Sequence, residues 1–306
     1  MENHAVTPVA SKLPRQLTAT PNPNNPVRWI RSLAGNCLLI LLHPSSLGRG
    51  RLMAAYLRIA FKAKFLVDIL GQRPTQERIF GQSVAFADYN TFLILFEEIF
   101  LTGVYDFPSL TGSPRIIDAG ANIGMSVTYF KALYPDCEVI AFEPDPRNYQ
   151  LLAQNRLANN WRGVEIHNVG LHRREAELSF FDYNDRAGAL SNGFWQPDEA
   201  GAPKRVTTVH AVPLSPYVVG PIDMLKMDIE GSEHDVMEEL LVSGKFGDIR
   251  RITMEYHHHI QPTDDRLGAM LSGLENAGFG YTLRAPLGLP FPERQTQNFM
   301  LRAYRK

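Results

Sequence analysis

The chain has 306 residues, 44% of them apolar and 21% charged, with a formal net charge of −1. That balance is ordinary for a soluble globular protein, and the length admits one large domain or a domain of roughly 200 residues with an added segment. Two cysteines and a longest apolar run of six residues, Cys37–Leu42, exclude a disulfide scaffold and a membrane-spanning bundle, since a span needs about twenty apolar residues.

Residues 1–26 carry Pro8, Pro14, Pro21, Pro23 and Pro26 among Ser, Thr and Asn. This composition predicts a mobile leader and does not resemble a secretory signal. Val27–Leu42 and Arg49–Leu70 follow as predicted helices. In the second, Leu52, Tyr56, Ile59, Phe65, Val67 and Leu70 alternate with Arg58, Lys62 and Lys64 at helical spacing, and Gly71 and Pro74 end it. Residues 1–90 hold 11 Lys and Arg against 4 acids, a charge bias read first as a solvated face. Another amphipathic stretch, Asn90–Leu101, leads to Gly103–Asp106. Cys37 and Cys137 lie far apart in sequence, which fits reduced thiols and a cytoplasmic protein.

From Arg115 onward short apolar runs alternate with helical segments. Strands are predicted at Arg115–Asp118, Glu138–Phe142, Val164–Val169, Ile222–Asp228 and Ile249–Tyr256, with an added β segment at Glu177–Phe181. Helices are expected at Met125–Tyr134, from Asp145 to Asn159, at Ser232–Val242 and at Asp264–Ala277. Asp145 is the natural N-cap of the second of these, with Pro146 at its first position. Two late strands, Gly280–Arg284 and Asn298–Tyr304, are joined through a loop with Pro286, Pro290 and Pro292, without a helix. The pattern predicts an α/β fold: a doubly wound, Rossmann-like sheet, mostly parallel, with a C-terminal antiparallel strand and an N-terminal helical extension. The expected division is a leader at 1–26, a helical extension at 27–81 and the α/β domain at 82–306.

Asp118-Ala-Gly-Ala-Asn-Ile-Gly124 lies between a strand and a helix. Gly120 permits a tight turn and a close backbone approach to a ligand; Gly124 lets the helix pack near the sheet. Glu143 ends the next strand, 23 residues after Gly120, where a doubly wound fold places the acid that accepts ribose hydroxyls. A pyrophosphate binder wants G-x-G-x-x-G, but the position two after Gly120 is Asn122, and Asp118 would repel phosphate. The combination favours a cationic nucleoside, S-adenosylmethionine, over NAD. The expected donor set is Asp118, Gly120, Ala121, Asn122, Gly124, Glu143, Pro144 and Asn168.

With those residues stands Leu225-Lys-Met-Asp-Ile-Glu-Gly-Ser-Glu233. Together with Asp118–Gly124, Glu143-Pro144 and Asn155 downstream, it resembles the FkbM family of methyltransferases. Glu97–Phe100 with Gly103-Val-Tyr105 resembles that family's lead-in to the first strand. The similarity covers about residues 90–260, with Ala119 where a Val is commoner. The resemblance implies a Rossmann-like fold, S-adenosylmethionine as donor, an O-methyl product and acceptors drawn from sugars and secondary metabolites.

Transfer to a hydroxyl needs an aligned acceptor and a group to take its proton. Asp228 and Glu230 follow the fourth strand, and three charges within five residues, counting Lys226, are costly on a buried strand unless paired or used. Lys226 has a second reading as a paired strand residue, and Glu233 as an acid at a helix N-terminus. The fifth strand runs into Glu255-Tyr-His-His-His259, from which His257 is the candidate base or acceptor-orienting group. A metal reading is also open, with His257 and His259 sharing an ion with Asp228 or Glu230, but no metal is assigned. The expected catalytic set is Asp228, Glu230 and His257. The expected partner is a small-molecule acceptor with a hydroxyl group, with neither nucleic acid nor a transmembrane span; a homo-oligomer is left open, and residues 27–81 are expected to cap the acceptor cleft or form an interface. The alternatives from other classes are an NAD(P)-dependent oxidoreductase and a non-catalytic nucleoside-binding module.

Overall fold

The computed structural model describes residues 26–42, 45–183, 187–188, 193–194, 202–258, 265–285 and 297–306. The expected leader, the proline loop near Pro290, and His259 lie outside these residues, apart from Pro26, which opens the first helix.

Helix α1 (Pro26–Leu42) is followed by α2 (Arg49–Lys62), which continues as a π-helix over Ala63–Ile69. A hairpin of β1 (Gln76–Ile79) and β2 (Gln82–Ala85) comes next, a pair that sequence patterning leaves unassigned because its strands are short and polar. Helix α3 (Tyr89–Phe96) is capped by Asp88, whose carboxylate accepts from Thr91 N, and it too continues as a π-helix, over Glu97–Leu101. The alternating region then gives β3 (Arg115–Ala119), α4 (Met125–Leu133), β4 (Glu138–Phe142), α5 (Pro146–Ala158) and β5 (Val164–His167). Asp145 caps α5 by accepting from Arg147 N, with Pro146 in the first turn, as the sequence predicts.

The third core strand ends earlier than its apolar run implies. Gly170–Leu171 leaves the main sheet as β6 and joins β7 (Ala176–Asp182) and β8 (Arg205–Val212) in a separate three-stranded sheet of order β6-β8-β7. The main sheet is completed by β9 (Met224–Met227), α6 (Glu233–Val242), β10 (Arg251–His258), α7 (Leu267–Asn276), β11 (Phe279–Arg284) and β12 (Gln297–Arg305). Its order is β11-β12-β10-β9-β3-β4-β5. The five strands from β10 to β5 are parallel, and β12 runs antiparallel between β10 and β11.

Alternate residues of a strand face opposite ways, so the sheet feeds two cores. Ile116 and Val139 pack with α4 and α5, whereas Ile117, Ala119 and Phe142 pack with α6 and α7. Helices α1 and α2 share the first core: Ile40, Leu52, Tyr56 and Ile59 are buried in the same cluster as Phe130 and Leu152. Glu77, 5% exposed, fastens the hairpin to this layer by accepting from Lys62 Nζ at 2.9 Å and Tyr89 Oη at 3.0 Å, and it pairs with Arg58. The fully buried Asn155 of α5 joins three segments at once. Its Nδ2 donates to Ala85 O at 3.1 Å and Ile123 O at 2.8 Å, and its Oδ1 accepts from Ala85 N at 2.6 Å.

Candidate active site

A cavity of about 340 Å³ opens at the carboxyl ends of β3, β4, β9 and β10. This is where an open parallel sheet binds its ligand, because the central strand order reverses there.

The turn after β3 builds one end. Gly120 has φ +88°, and a Cβ on it would stand 1.8 Å from Asp228 O, so the turn from β3 can lie against β9 only with glycine. Gly124, at φ +89°, sits where a Cβ would meet Leu152 at 2.7 Å, which draws α4 close to α5. Asn122 adopts φ +50°, and its backbone N–H donates to Glu143 Oε2 at 2.8 Å. Glu143 Oε1 accepts from Asp145 N at 2.8 Å. Asn148 Nδ2 donates to the same oxygen at 3.4 Å; an ionised carboxylate offers about four acceptor positions, so Glu143 keeps room on Oε2 for a ribose hydroxyl. Burial pushes its pKa up to about 7.

Lys226 anchors this end from below. Its Nζ meets Asp118 Oδ1 at 3.2 Å as an ion pair rather than an aligned hydrogen bond, and donates to Ala119 O at 3.2 Å and Gly120 O at 2.5 Å. Ser126 Oγ donates to the other Asp118 oxygen. Burial opposes the ammonium's charge, but Asp118, Asp228 and Glu143 outweigh it and raise its pKa.

The other end is acidic. His257, 5% exposed, lies between Glu233 Oε1 at 3.0 Å from Nδ1 and Glu230 Oε2 at 3.2 Å from Nε2. Glu233 is itself held by Ile229 N at 3.3 Å and Gly231 N at 3.1 Å. Burial works against a charged imidazole, but Glu233 and Glu230 carry its pKa well above the ordinary value. Burial also raises the Glu230 pKa. Glu230 occupies a left-handed φ of +50°, unusual for a non-glycine residue, which turns its carboxylate toward β10. Glu255 accepts from Asn298 Nδ2 at 2.9 Å, and burial, then Asp228, push its pKa up to about 8. Glu98, on the π-helical continuation of α3, is pushed up to about 7 by burial and Asp228. Such π-helical turns recur beside functional sites.

Of the expected donor residues, Gly120, Ala121, Asn122, Glu143 and Pro144 line the cavity, as do Asp228, Glu230 and His257 at its other end. Asp118 and Gly124 stand behind the wall in the roles just described. Asn168 is tied to the β4–α5 turn, its Nδ2 donating to Glu143 O at 2.8 Å and Pro144 O at 3.2 Å. Among the described residues, none of 27–81 lines the cavity, and Leu95, Glu98, Ile99 and Tyr105 stand over it. Sequence reading places Glu98 and Tyr105 in the lead-in to the first strand and Asn298 at the start of a late strand, but assigns none of the three to the site. A signal existed for Glu98, an acid inside the apolar run from Phe92 to Leu101.

Residues 118–281 match the model of the methyltransferase FkbM domain. The chain belongs to the FkbM methyltransferase family. It is similar to Methyltransferase 1 of Beauveria bassiana (strain ARSEF 2860), 30% identical over 164 residues that cover 47% of this chain and 65% of that protein. It also resembles Methyltransferase sdnD of Sordaria araneosa, 41% identical over 78 residues, 25% of this chain and 30% of that one. The matched regions span less than two thirds of either relative. Among solved structures it is similar to Methyltransferase FkbM from Methylobacillus flagellatus KT, at 16% identity over 91% of this chain and 59% of that chain, with a TM-score of 0.43. No helix among the described residues of this FkbM-family chain is long and apolar enough to cross a membrane.

The buried carboxyl of Glu143 sets a pH expectation for this methyltransferase fold. Its folded-state pKa lies above the free value of 4.5, so its contribution to stability is present below about 4.5 and is lost as pH rises through about 7. Denaturant titrations of the ligand-free protein from pH 5 to 8 should show wild type losing stability relative to Glu143→Gln as pH rises. A difference that stays constant with pH would refute this.

Proposed function

We propose that this protein transfers the methyl group of S-adenosylmethionine to a hydroxyl oxygen of a small molecule, a sugar or secondary metabolite. One observation carries the reading: a single cavity joins Gly120, Asn122 and Glu143 at one end to Asp228, Glu230 and His257 at the other. The donor residues suit the nucleoside: Glu143 is buried at the cavity wall with room on Oε2 for a further donor, and the Gly120 turn brings the backbone to the cavity surface. S-adenosylmethionine supplies an electrophilic methyl group on a sulfonium. The chain's residues orient the acceptor oxygen in line with it, exclude water through Leu95, Ile99 and Tyr105, and receive the hydroxyl proton on a carboxylate. His257, held between two carboxylates, positions Glu230 for that task. The O–CH₃ bond forms as the C–S bond breaks, leaving a methyl ether and S-adenosylhomocysteine.

Among the described residues the cavity is lined by the acids Glu98, Asp228, Glu230 and Glu255 around its acceptor end and by no arginine, and its one lysine, Lys226, is paired with Asp118; the lack of basic side chains for phosphates speaks for a small acceptor against nucleic acid. The free thiols of Cys37 and Cys137 suit a cytoplasmic enzyme. Incubation with methyl-labelled S-adenosylmethionine and a panel of hydroxylated metabolites, read by mass spectrometry, tests the proposal. The expected result is an acceptor one labelled methyl heavier, bonded at oxygen, with an equal amount of S-adenosylhomocysteine. A product methylated only at nitrogen or carbon would overturn the assignment.

A further inference from the structure

Proton transfer alone does not account for the way the acceptor end is assembled. One oxygen each from Asp228 and Glu230 and a ring nitrogen of His257 lie within 4.8 Å of one another. The nearest buried ammonium, Lys226, is committed to Asp118 and to the carbonyls of Ala119 and Gly120. His257 Nδ1 faces Glu233 Oε1 at 3.0 Å. That oxygen already accepts from Ile229 N and Gly231 N, so it serves as an acceptor and the ring donates to it. The donation leaves Nε2 as the nitrogen that faces Glu230, 3.2 Å away. In the cation-free protein a ring proton bridges this pair, and a divalent cation would take that proton's place.

This is the arrangement by which proteins aim a histidine at a metal: a buried carboxylate fixes the tautomer through one nitrogen and presents the other. Glu233, 1% exposed and held by backbone N–H groups, supplies that second interaction here. Two carboxylates and one imidazole converging from three points, with the cavity open on the remaining side, match a hard-to-borderline divalent ion and leave positions for other ligands. We propose that Asp228, Glu230 and His257 Nε2 bind one divalent cation, of the Mn²⁺ type, at the acceptor end of the cavity. The proposal deepens the methyl-transfer reading and rests on it only for the consequence of binding. A cation there would lower the pKa of an acceptor hydroxyl, whose proton would pass to a cavity carboxylate outside the ligand set, Glu98 or Glu255.

The test is a titration of the full chain with Mn²⁺, with free ion counted by its paramagnetic resonance signal and S-adenosylhomocysteine binding measured on the same samples. The expected result is one Mn²⁺ per chain. Asp228→Asn removes a ligand and Glu233→Gln, a positioning change, loosens the imidazole; each should weaken Mn²⁺ binding at least 10-fold and leave S-adenosylhomocysteine binding unchanged. Mn²⁺ that stays free, or binds with an affinity indifferent to both substitutions, would overturn the cation site. S-adenosylhomocysteine binding without Mn²⁺ defeats the cation alone, whereas Mn²⁺ binding without S-adenosylhomocysteine defeats the donor reading. If Glu233→Gln does not fold, the wild-type stoichiometry and Asp228→Asn still decide.

Discussion

Replacing Glu230 by glutamine should lower turnover 10²–10⁴-fold while leaving S-adenosylmethionine affinity unchanged, the signature of a group that acts on the acceptor and not on the donor. The substitution keeps the shape of the side chain and removes its charge, so it isolates the chemistry from the packing. Glu230 lines the cavity, 3.2 Å from Nε2 of His257. The same loss is expected whether its carboxylate takes the hydroxyl proton itself or holds a cation that acidifies the hydroxyl. Steady-state kinetics with saturating acceptor give the answer. Wild-type turnover in this variant would remove Glu230 from the acceptor-side machinery.

The second large effect is structural. Lys226→Met should destabilise the protein by about 3–5 kcal/mol, because it leaves the fully buried Asp118 charged and without its counter-ion. Deleting both charges at once, as Asp118→Asn with Lys226→Met, should recover much of that loss. Urea unfolding midpoints for the three variants measure the coupling. A Lys226→Met protein as stable as wild type would mean that Asp118 stays neutral or reaches solvent. The donor turn should loosen as well, since Lys226 also holds the carbonyls of Ala119 and Gly120.

How far the site was legible follows from which residues are adjacent in the chain. The Gly120 turn, Glu143 and the Asp145 cap belong to local strand–turn–helix grammar, and the structure places them as that grammar predicts. Asp228 and Glu230 stood out because charges on a central strand are costly, and they do line the cavity. Position was less legible than identity. Asp118, expected near the ligand where it could order water around a cationic moiety, pairs with Lys226, and Asn168, expected in the donor set, donates to the carbonyls of Glu143 and Pro144. Both are contacts with residues remote in sequence, which periodicity does not encode.

The elements passed over have a common cause. In β8 the inward face runs Arg205, Thr207, Val209 and Ala211 and is buried only at the last two, while the apolar Val206 is exposed on the other face, so the apolar signal is weak where the strand begins. The β1–β2 hairpin is four residues a side and is stabilised by the Glu77 ion pairs and by Asn155 and Asn159, partners that lie outside it. Glu98 lies on the π-helical turn of Glu97–Leu101 and Tyr105 just beyond it, and both line the cavity.

The central claim is that one end of the cavity is built for S-adenosylmethionine. Calorimetric titration of the full chain with S-adenosylmethionine, S-adenosylhomocysteine and NAD tests it most directly. The account predicts that the first two bind, that NAD gives no heat of binding, and that Glu143→Ala weakens both nucleosides by about 1.5–3 kcal/mol through loss of a charged acceptor for a ribose hydroxyl. Saturable NAD binding with no binding of S-adenosylmethionine would contradict it.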